Sequence, residues 1–310
     1  MYGEKMKNLL LGGAGFIGQH LAIRLLEDGH SVTAIDNLKT STIDLNNFSK
    51  YGNRFIFIEE DLSQINSSYF LSIAEGHDQI YHLAGSVGVE NVDKNPRETL
   101  YNNIFMATNL TPLFGQLGIP VLFTSTSEVY GEGPFIEDSP AQINANKLRW
   151  GYASAKLTSE FMLRACGCPF TIVRLFNVVG IGQSSSIGMV LPRFVEAAKN
   201  GSDLIVYGDG KQVRSFCHIS DAVSALISVS KIHGELFNIG TDNFLTIEQL
   251  AETVINASKS SSKIKYVPYE EAFSNQHADI IKRLPDTTKI KKAIGFLPKY
   301  NIEDVIKDML

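Results

Sequence analysis

A short apolar run at residues 8–11 is followed by a glycine-rich turn and then by apolar residues at helical spacing. Leu21, Ala22, Leu25 and Leu26 would share one face of a helix, because residues three or four apart lie on the same side. The pattern predicts a β-strand, a tight turn and an amphipathic α-helix in direct succession.

Further apolar runs along the chain have the length and composition of buried β-strands. Most of them end in glycine or in a polar residue, which is typical of strands in an open parallel sheet. These predicted strands span residues 31–35, 55–58, 79–83, 171–176 and 236–239. Together with the first strand and helix, they predict an α/β fold.

A later helix carries its own start signal. Thr246 and Gln249 have the spacing of a capping box, in which each side chain bonds the other residue's backbone amide. One face of this helix would be apolar, formed by Ile247, Leu250, Ala251, Val254 and Ile255. We predict that it has a structural role.

The composition is typical of a globular enzyme. The 310 residues are 44% hydrophobic and 20% charged, which is enough for a large core and for two lobes. The net charge is −5 and no Lys/Arg cluster is present, so we expect no nucleic-acid partner. Glycines interrupt the apolar run after Lys5 and Lys7, so we expect neither a signal peptide nor a membrane role, but a cytoplasmic protein.

Three cysteines, Cys166, Cys168 and Cys217, have neither the number nor the spacing of a zinc site. No metal is therefore expected, and no disulfide framework. We predict three inert thiols.

The glycine turn predicts a dinucleotide site. It fits both GxGxxG, at Gly13, Gly15 and Gly18, and GxxGxxG, at Gly12, Gly15 and Gly18. Glycines let backbone amides at a helix N-terminus approach a pyrophosphate, which the helix dipole stabilises. Asp36 follows the second strand, at the spacing of a carboxylate that binds an adenosine ribose. It favours NAD, because a carboxylate would repel the 2′-phosphate of NADP.

Two other strand ends carry small or polar residues. The strand at 55–58 leads to Asp61 and Leu62, and the strand at 79–83 leads to a glycine-containing segment, 84–88. Ligands of open parallel sheets collect at the carboxyl ends of the strands. We therefore expect both segments to line the cofactor groove.

Tyr152 and Lys156 have the spacing of a catalytic pair, and the stretch 125–128 precedes them. Positions i and i+4 of a helix share a face, so the ammonium of Lys156 would favour the ionised phenol of Tyr152. Beside a nicotinamide, such a base would remove a hydroxyl proton while the carbon below it gives up hydride.

The chain resembles the extended short-chain dehydrogenase/reductase family, in particular its nucleotide-sugar epimerases, dehydratases and decarboxylases. The resemblance runs over nearly the whole chain and is carried, in the family's order, by GGAGFIG, AIDNL, YHLAG, STSEVYG, RWGYASAK, VRLFNVVG, LPRFVEAAKNG, VYGDGKQVRSFCHISD, FNIG and KRLPD. It implies a doubly wound parallel sheet (Rossmann fold) that binds NAD, with a smaller, interleaved lobe for a nucleotide diphosphate sugar.

The resemblance also implies a division of the chain. Residues 1–177, with about 212–240, would form the NAD-binding domain, and residues 178–211 with 241–310 the substrate lobe. It further implies a homodimer, joined through helices near residues 103–114 and 154–165.

Carried over residue by residue, the resemblance makes Tyr152 the base. Lys156 would lower the pKa of Tyr152 and hold the nicotinamide ribose, and Thr126 would hydrogen-bond the sugar hydroxyl that Tyr152 deprotonates. Asn103 would position the lysine. The cofactor residues would then be Gly12, Gly15, Phe16, Ile17, Gly18, Asp36, Asn37, Asp61, Leu62, Leu83, Ala84, Gly85, Asn103, Tyr152 and Lys156.

The substrate residues implied by the resemblance are Val87, Asn177, Arg214 and Arg283. Two guanidinium groups would suit the two phosphates, because arginine offers bidentate charge-assisted hydrogen bonds. UDP is the expected nucleotide, by family frequency. His218, in CHISD, is expected to be structural.

Oxidation at carbon 4 of the sugar allows three outcomes. Glu128 could remove the proton that the 4-keto group acidifies at carbon 5, which would lead to loss of water. Ser127 stands where the deoxythymidine-diphosphate-glucose dehydratases have aspartate. We expect dehydration through Glu128, with Ser127 beside it. The alternatives are 4-epimerisation, decarboxylation, an NADPH-dependent 4-ketoreductase and a non-catalytic NAD-binding protein.

Overall fold

The computed structural model describes residues 4–41, 43–272 and 280–310. The strands that it contains are β1 (Lys7–Leu11), β2 (Ser31–Asp36), β3 (Phe55–Glu59), β4 (Gln79–His82), β5 (Val121–Thr126), β6 (Phe170–Leu175), β7 (Val178–Val179), β8 (Leu204–Tyr207), β9 (Val213–Ser215), β10 (Cys217–His218), β11 (Glu235–Ile239), β12 (Phe244–Thr246), β13 (Ile264–Val267) and β14 (Lys282–Arg283).

The α-helices of the described residues are α1 (Phe16–Glu27), α2 (Ser67–Ala74), α3 (Val89–Lys94), α4 (Pro96–Leu117), α5 (Gly151–Ala165), α6 (Val190–Lys199), α7 (Ile219–Val229), α8 (Ile247–Ser258), α9 (Tyr269–Ala272), α10 (Thr288–Ile294) and α11 (Ile302–Met309). Short 3₁₀ segments lie at Leu45–Arg54, Ser127–Tyr130, Leu148–Trp150 and Ser185–Ile187.

Seven parallel strands form the central sheet, in the order β11-β6-β5-β4-β1-β2-β3. The chain winds outward from β1 in one direction, to β2 and β3, and then returns to β4 on the other side of β1. This reversal between β1 and β4 is the topological switch point at which doubly wound sheets bind ligands. The predicted Rossmann fold is therefore confirmed.

Each face of the sheet is covered by helices through its own apolar cluster. On one face, Leu21 and Leu25 of α1 pack with Leu226 of α7. On the other face, Leu110 of α4 packs with Leu163 of α5. Burial on both faces explains why the strands appear in the sequence as nearly continuous apolar runs.

A third apolar cluster joins α6, α8, α11 and β8, with Leu191, Leu250 and Val305 among its buried members. The predicted capping box of α8 is present. The Thr246 hydroxyl accepts a hydrogen bond from the Gln249 amide at 3.1 Å, and the Gln249 side chain accepts one from the Thr246 amide at 2.9 Å. The helix is structural, as expected, while the residue boundaries of the two domains stay a prediction.

Among the described residues, no helix combines the length and the apolar character needed to cross a membrane. Tyr101 and Phe105 on α4 and Phe161 on α5 are exposed aromatic side chains. They lie on the two helices that were predicted to join subunits, and the homodimer stays a prediction.

Candidate active site

A cleft of about 650 Å³ opens at the carboxyl edge of the sheet, beside the switch point. It is lined by nearly all of the predicted site residues: Gly12, Gly15, Phe16, Ile17, Gly18, Asp36, Asn37, Asp61, Leu62, Leu83, Ala84, Gly85, Val87, Thr126, Ser127, Glu128, Tyr152, Lys156, Asn177 and Arg283. Asn103 and Arg214 do not line it.

The glycine turn fits a dinucleotide pyrophosphate. Gly15 is the N-cap of α1 and supplies no side-chain cap, so no side chain covers the helix N-terminus at this position. Gly12 has φ +83°, and a Cβ there would lie 2.6 Å from the backbone nitrogen of Ala84. The turn can therefore approach β4 closely while its backbone faces the cleft, which suits an anion at the helix N-terminus.

Replacing Gly12 by alanine should lower the free energy of unfolding by about 2–5 kcal/mol, since backbone strain and overpacking add. Gly29 is a matched control, because it has φ +91° but no heavy atom within 4 Å of an added Cβ. Gly29→Ala should cost only the strain, about 1–2 kcal/mol. Urea denaturation measures both changes, and equal losses would contradict the close approach.

Asp36 ties the end of β2 to the glycine turn. One carboxylate oxygen accepts a hydrogen bond from the Ala14 amide at 3.0 Å and the other accepts one from the Leu38 amide at 2.9 Å. The nearby ammonium of Lys39 donates a hydrogen bond to the carboxylate of Asp61 at 3.2 Å. The Asp36 carboxylate beside the glycine turn would repel a 2′-phosphate, so this edge of the cleft suits NAD.

Asp61 is held as a carboxylate. Burial raises its pKa, but hydrogen bonds from Ser63, Asn37 and Lys39 outweigh burial and lower the pKa to about 2. The side chain thereby fixes the loop that follows β3 at the wall of the cleft.

Tyr152 and Lys156 lie in the first two turns of α5, opposite the end of β5. The phenol of Tyr152 shares a hydrogen bond with the hydroxyl of Thr126. The ammonium of Lys156 donates to the carbonyl of Thr124 at 3.0 Å and to that of Ala84 at 3.5 Å. The helix and the two strand ends thus hold the three predicted catalytic side chains together.

The side chain of Asn103 supports this group from behind. Its amide donates to the carbonyls of Ser86 at 3.0 Å and Thr99 at 2.8 Å. A Cβ added to Gly85 would lie 3.2 Å from the Asn103 Oδ1 and 3.0 Å from the Lys156 Nζ, so both atoms border the same space. Its neighbour Asn102, not Asn103, lines the cleft.

The pKa values differ from the sequence expectation. Burial is the largest cause that raises the pKa of Tyr152, and the charge of Glu128 raises it further, against the effects of Thr126 and Arg283. Burial lowers the pKa of Lys156 to about 8, against the charge of Glu160. The ammonium of Lys156 is directed to the backbone carbonyls of Thr124 and Ala84.

Glu128 lies between two guanidinium groups. Its Oε1 is 3.1 Å from Nη1 of Arg283, and its Oε2 is 3.5 Å from Nη2 of Arg149. Arg283 also donates to the side-chain oxygen of Asn177. All three charged side chains are only 14–17% exposed, so this group, which we call the Glu128 cluster, brings two positive charges and one negative charge to the cleft.

Arg149 was not among the predicted site residues. The signal that could have found it is its position three residues before Tyr152, in the 3₁₀ turn that leads into α5. Arg283 forms an ion pair with Glu128 and lines the cleft, and its pairing with a substrate phosphate stays a prediction.

Arg214 stands opposite Arg283 in the β9–β14 register, so the structure brings these two residues side by side. The guanidinium of Arg214 donates to the carbonyls of Val213 at 2.9 Å and Ile281 at 3.4 Å, and its buried side chain does not line the cleft. Its role as a phosphate ligand stays a prediction. His218 is structural, as expected: it caps α7 through the Ser220 amide.

A buried ion pair anchors the catalytic helix to the sheet. Arg174 of β6 bonds both oxygens of Glu160 of α5, at 2.9 and 2.7 Å, and Ser125 donates to Glu160 at 2.5 Å. Ser125 precedes the predicted catalytic Thr126. The network thus links the positions of α5 and of the end of β5.

Glu160→Gln should lower the free energy of unfolding by about 3–5 kcal/mol, because it leaves the charge of Arg174 buried without its partner. Asp28→Asn is a matched control in the exposed Arg24–Asp28 pair, whose side chains are 48% and 40% exposed. That change should cost at most about 1 kcal/mol. Urea denaturation compares the two variants, and a loss below that of the control would contradict this anchoring role.

The comparisons with known proteins agree with this geometry. A family model described as the NAD dependent epimerase/dehydratase family matches residues 8–240. A UDP-N-acetyl-alpha-D-glucosaminuronate decarboxylase of Bacillus cytotoxicus is 37% identical, over 99% of this chain and 97% of its own. UDP-glucuronic acid decarboxylase 4 of Arabidopsis thaliana is 33% identical over 95% of this chain, which spans only 65% of that protein.

Solved structures are also similar. A UDP-N-acetylglucosamine 4-epimerase from Methanobrevibacter ruminantium, in complex with UDP-N-acetylmuramic acid, has a TM-score of 0.86 at 27% identity, covering 99% of this chain and 97% of that one. A UDP-glucuronic acid 4-epimerase from Bacillus cereus, in complex with UDP-glucuronic acid and NAD, has a TM-score of 0.83 at 25% identity, covering 98% and 97%. The chain belongs to the NAD-dependent epimerase/dehydratase family, which confirms the predicted family and its cofactor, NAD.

Proposed function

We propose that this protein is an NAD-dependent decarboxylase of a UDP-linked uronic acid. The observation that carries the proposal is the Glu128 cluster, in which Arg149 and Arg283 face one carboxylate beside Tyr152. Two guanidinium groups beside Tyr152 favour a substrate that carries an anionic group near its reacting carbon. A carboxylate at carbon 6 of the sugar supplies that charge.

The names of the relatives support the same substrate class. The two decarboxylases named above act on UDP-linked uronic acids, as their names state, and one of them matches this chain nearly end to end. The resemblance of fold cannot choose the reaction by itself, because one fold hosts several chemistries. The charge of the cleft and the relatives' names therefore carry the proposal together.

The reaction begins at the hydroxyl of carbon 4. The chemistry that NAD supplies when bound is reversible hydride transfer. The oxygen of Tyr152 receives the hydroxyl proton, and the hydroxyl of Thr126 orients that oxygen. The product of this step is a 4-keto uronic acid, in which the carboxylate is on the carbon next to the ketone.

Such a β-keto acid loses carbon dioxide without a base. The bond between carbons 5 and 6 breaks, its electron pair forms an enolate that ends on oxygen 4, and carbon 5 then takes a proton that comes from solvent. The protonated phenol of Tyr152 can donate a hydrogen bond to that enolate oxygen, which stabilises the developing charge. Return of the hydride to carbon 4, and of the proton from Tyr152 to oxygen 4, completes a reaction with no net oxidation.

Decarboxylation also accounts for the state of Glu128. Both of its oxygens face guanidinium groups, so a proton from carbon 5 would compete with two ion pairs for the carboxylate. Dehydration through Glu128, which the sequence predicted, needs that base, whereas decarboxylation does not. We therefore favour loss of carbon dioxide over loss of water, and assign Glu128 the role of holding Arg149 and Arg283 in place.

The second candidate is a 4-epimerase of the same uronic acids. The observation in its favour is the TM-score of 0.83 with the Bacillus cereus UDP-glucuronic acid 4-epimerase. Epimerisation would use Tyr152 and Thr126 in the same way, but would keep carbon 6.

Matched pairs of substrates separate these reactions. We would incubate the enzyme in deuterated water with two matched pairs of a uronic acid and its neutral sugar. The pairs are UDP-glucuronate with UDP-glucose, and UDP-N-acetylglucosaminuronate with UDP-N-acetylglucosamine. Mass spectrometry would give the masses of the products. Only a uronic acid should lose carbon dioxide, and its product should keep one deuterium at carbon 5. An isomer of unchanged mass would indicate a 4-epimerase, and loss of water a dehydratase.

A further inference from the structure

Cys166 and Cys168 flank a single glycine in the turn that joins α5 to β6. Their sulfur atoms are 3.3 Å apart, although all three cysteines of the chain are free thiols. We propose that Cys166 and Cys168 form a reversible dithiol–disulfide pair, a modification site outside the cleft. This proposal is independent of the proposed reaction.

The backbone of the turn permits the bond. A disulfide has sulfur atoms about 2.05 Å apart, so the two sulfurs must approach by about 1.3 Å. Gly167, between them, has φ +87° and no heavy atom within 4 Å of an added Cβ. Gly167 therefore has both the conformational freedom and the space to rotate as the two sulfurs approach.

The two thiols have different surroundings. Cys168 is 6% exposed and packs in the apolar cluster that contains Phe114 and Leu163, whereas Cys166 is only partly buried at the edge of that cluster. Burial, and then Cys166 itself, raise the pKa of Cys168 to about 12. Cys166 is therefore the thiol that an oxidant reaches first.

The oxidant is a low-molecular-weight disulfide. The thiolate of Cys166 attacks one of its sulfurs, a mixed disulfide forms and one small thiol leaves. The sulfur of Cys168, losing its proton, then attacks the sulfur of Cys166 and displaces the second small thiol. One disulfide is formed in the protein, the small disulfide is reduced to two thiols, and the two protein protons end on those thiols.

The site is placed to act on the packing of two helices. Cys166 donates its thiol proton to the carbonyl of Leu163 at 3.1 Å, a bond that oxidation removes. The carbonyl of Cys166 contacts α4 so closely that a Cβ on Gly115 would collide with it. Oxidation should therefore alter the contact between α4 and α5. The 15-residue α5 is about 22 Å long, and Tyr152 is at its other end, so turnover should change little.

Redox titration with oxidised and reduced glutathione tests the proposal on the full-length protein. After acid quenching and alkylation, the wild type should lose two of its three alkylatable thiols and the mass of two hydrogens. Proteolysis should give one peptide with the bond between Cys166 and Cys168, and dithiothreitol should restore all three thiols.

Two variants make the result specific. Cys168→Ser should stop at a stable glutathione adduct on Cys166, because no neighbouring thiol can displace it. Cys217→Ser is the matched control: Cys217 is buried near His218, away from the pair, so this variant should form the bond as the wild type does. The proposal is overturned if the wild type keeps three thiols, keeps a glutathione adduct, or forms the bond between two chains.

Discussion

Tyr152→Phe is expected to lower kcat by about 10²–10⁴-fold, the usual contribution of a positioned general acid–base group. The change removes only the oxygen that receives the carbon-4 proton and pairs with Thr126. The ring remains, so the affinity for NAD should be nearly unchanged. Steady-state kinetics with a uronic acid substrate and a separate titration of NAD binding measure the two quantities.

Tyr81→Phe is the matched control for that change. Tyr81 is buried, and its hydroxyl shares a hydrogen bond with Ser230 at 3.1 Å, away from the cleft. The control should lose some stability but keep its kcat. If both variants lost kcat equally, or if Tyr152→Phe kept full turnover, the assignment of Tyr152 as the proton acceptor would be wrong.

Arg283→Lys should lower kcat/KM for a uronic acid substrate by about 10²–10³-fold, the size of effect seen when a preorganised donor is removed from an active site. Arg283 bonds Glu128 with one guanidinium nitrogen and Asn177 with another. A lysine ammonium keeps the charge but cannot present this planar fork. NAD affinity should not change, because neither partner belongs to the glycine turn.

Arg54→Lys provides the control for Arg283→Lys. Arg54 also contacts two acceptors, the carbonyls of Leu26 at 2.7 Å and His30 at 3.1 Å, but it lies away from the cleft. Its variant should keep kcat/KM within a small factor. A loss of NAD binding in Arg283→Lys, with kcat unchanged, would place Arg283 at the cofactor instead and would remove the basis of the proposed substrate.

Six of the seven strands of the central sheet could be predicted from their apolar runs, whereas β5 (Val121–Thr126) was not predicted. The run at 31–35 became β2 (Ser31–Asp36), and the run at 55–58 became β3 (Phe55–Glu59). In each case the apolar stretch ended one residue before the strand did, at an acidic residue that points to the cleft edge or to solvent. Local composition is sufficient for β2, because its four central residues are all buried. β3 is the edge strand, with Ile56 52% exposed, and its apolar run was still long enough to predict it.

The electrostatics of the site could not be predicted in the same way. Glu128 follows β5 and Arg283 lies in β14, 155 positions further along the chain, and only the tertiary fold brings them together. The direction of Lys156 toward backbone carbonyls, and of Arg214 away from the cleft, likewise depends on side-chain geometry that spacing along the chain does not contain. A spacing of i and i+4 places two side chains on one face, but it does not make them partners.

The register of α4 illustrates the same limit at the scale of one residue. Asn103 turns inward to Ser86 and Thr99, while its neighbour Asn102 lines the cleft. Adjacent helical residues differ by about 100° in direction, so only the structure shows that Asn103 borders Lys156 and that Asn102 faces the cleft.

The most direct test of the proposed reaction follows one carbon atom. Wild-type enzyme would be given UDP-glucuronate, and in parallel UDP-N-acetylglucosaminuronate, labelled with ¹³C at carbon 6, and observed by ¹³C NMR with added NAD. We predict that the label leaves the sugar as carbon dioxide and bicarbonate with wild-type enzyme and stays on the sugar with Tyr152→Phe. A label that remained on a converted sugar, whether as an isomer or as a dehydrated product, would contradict decarboxylation.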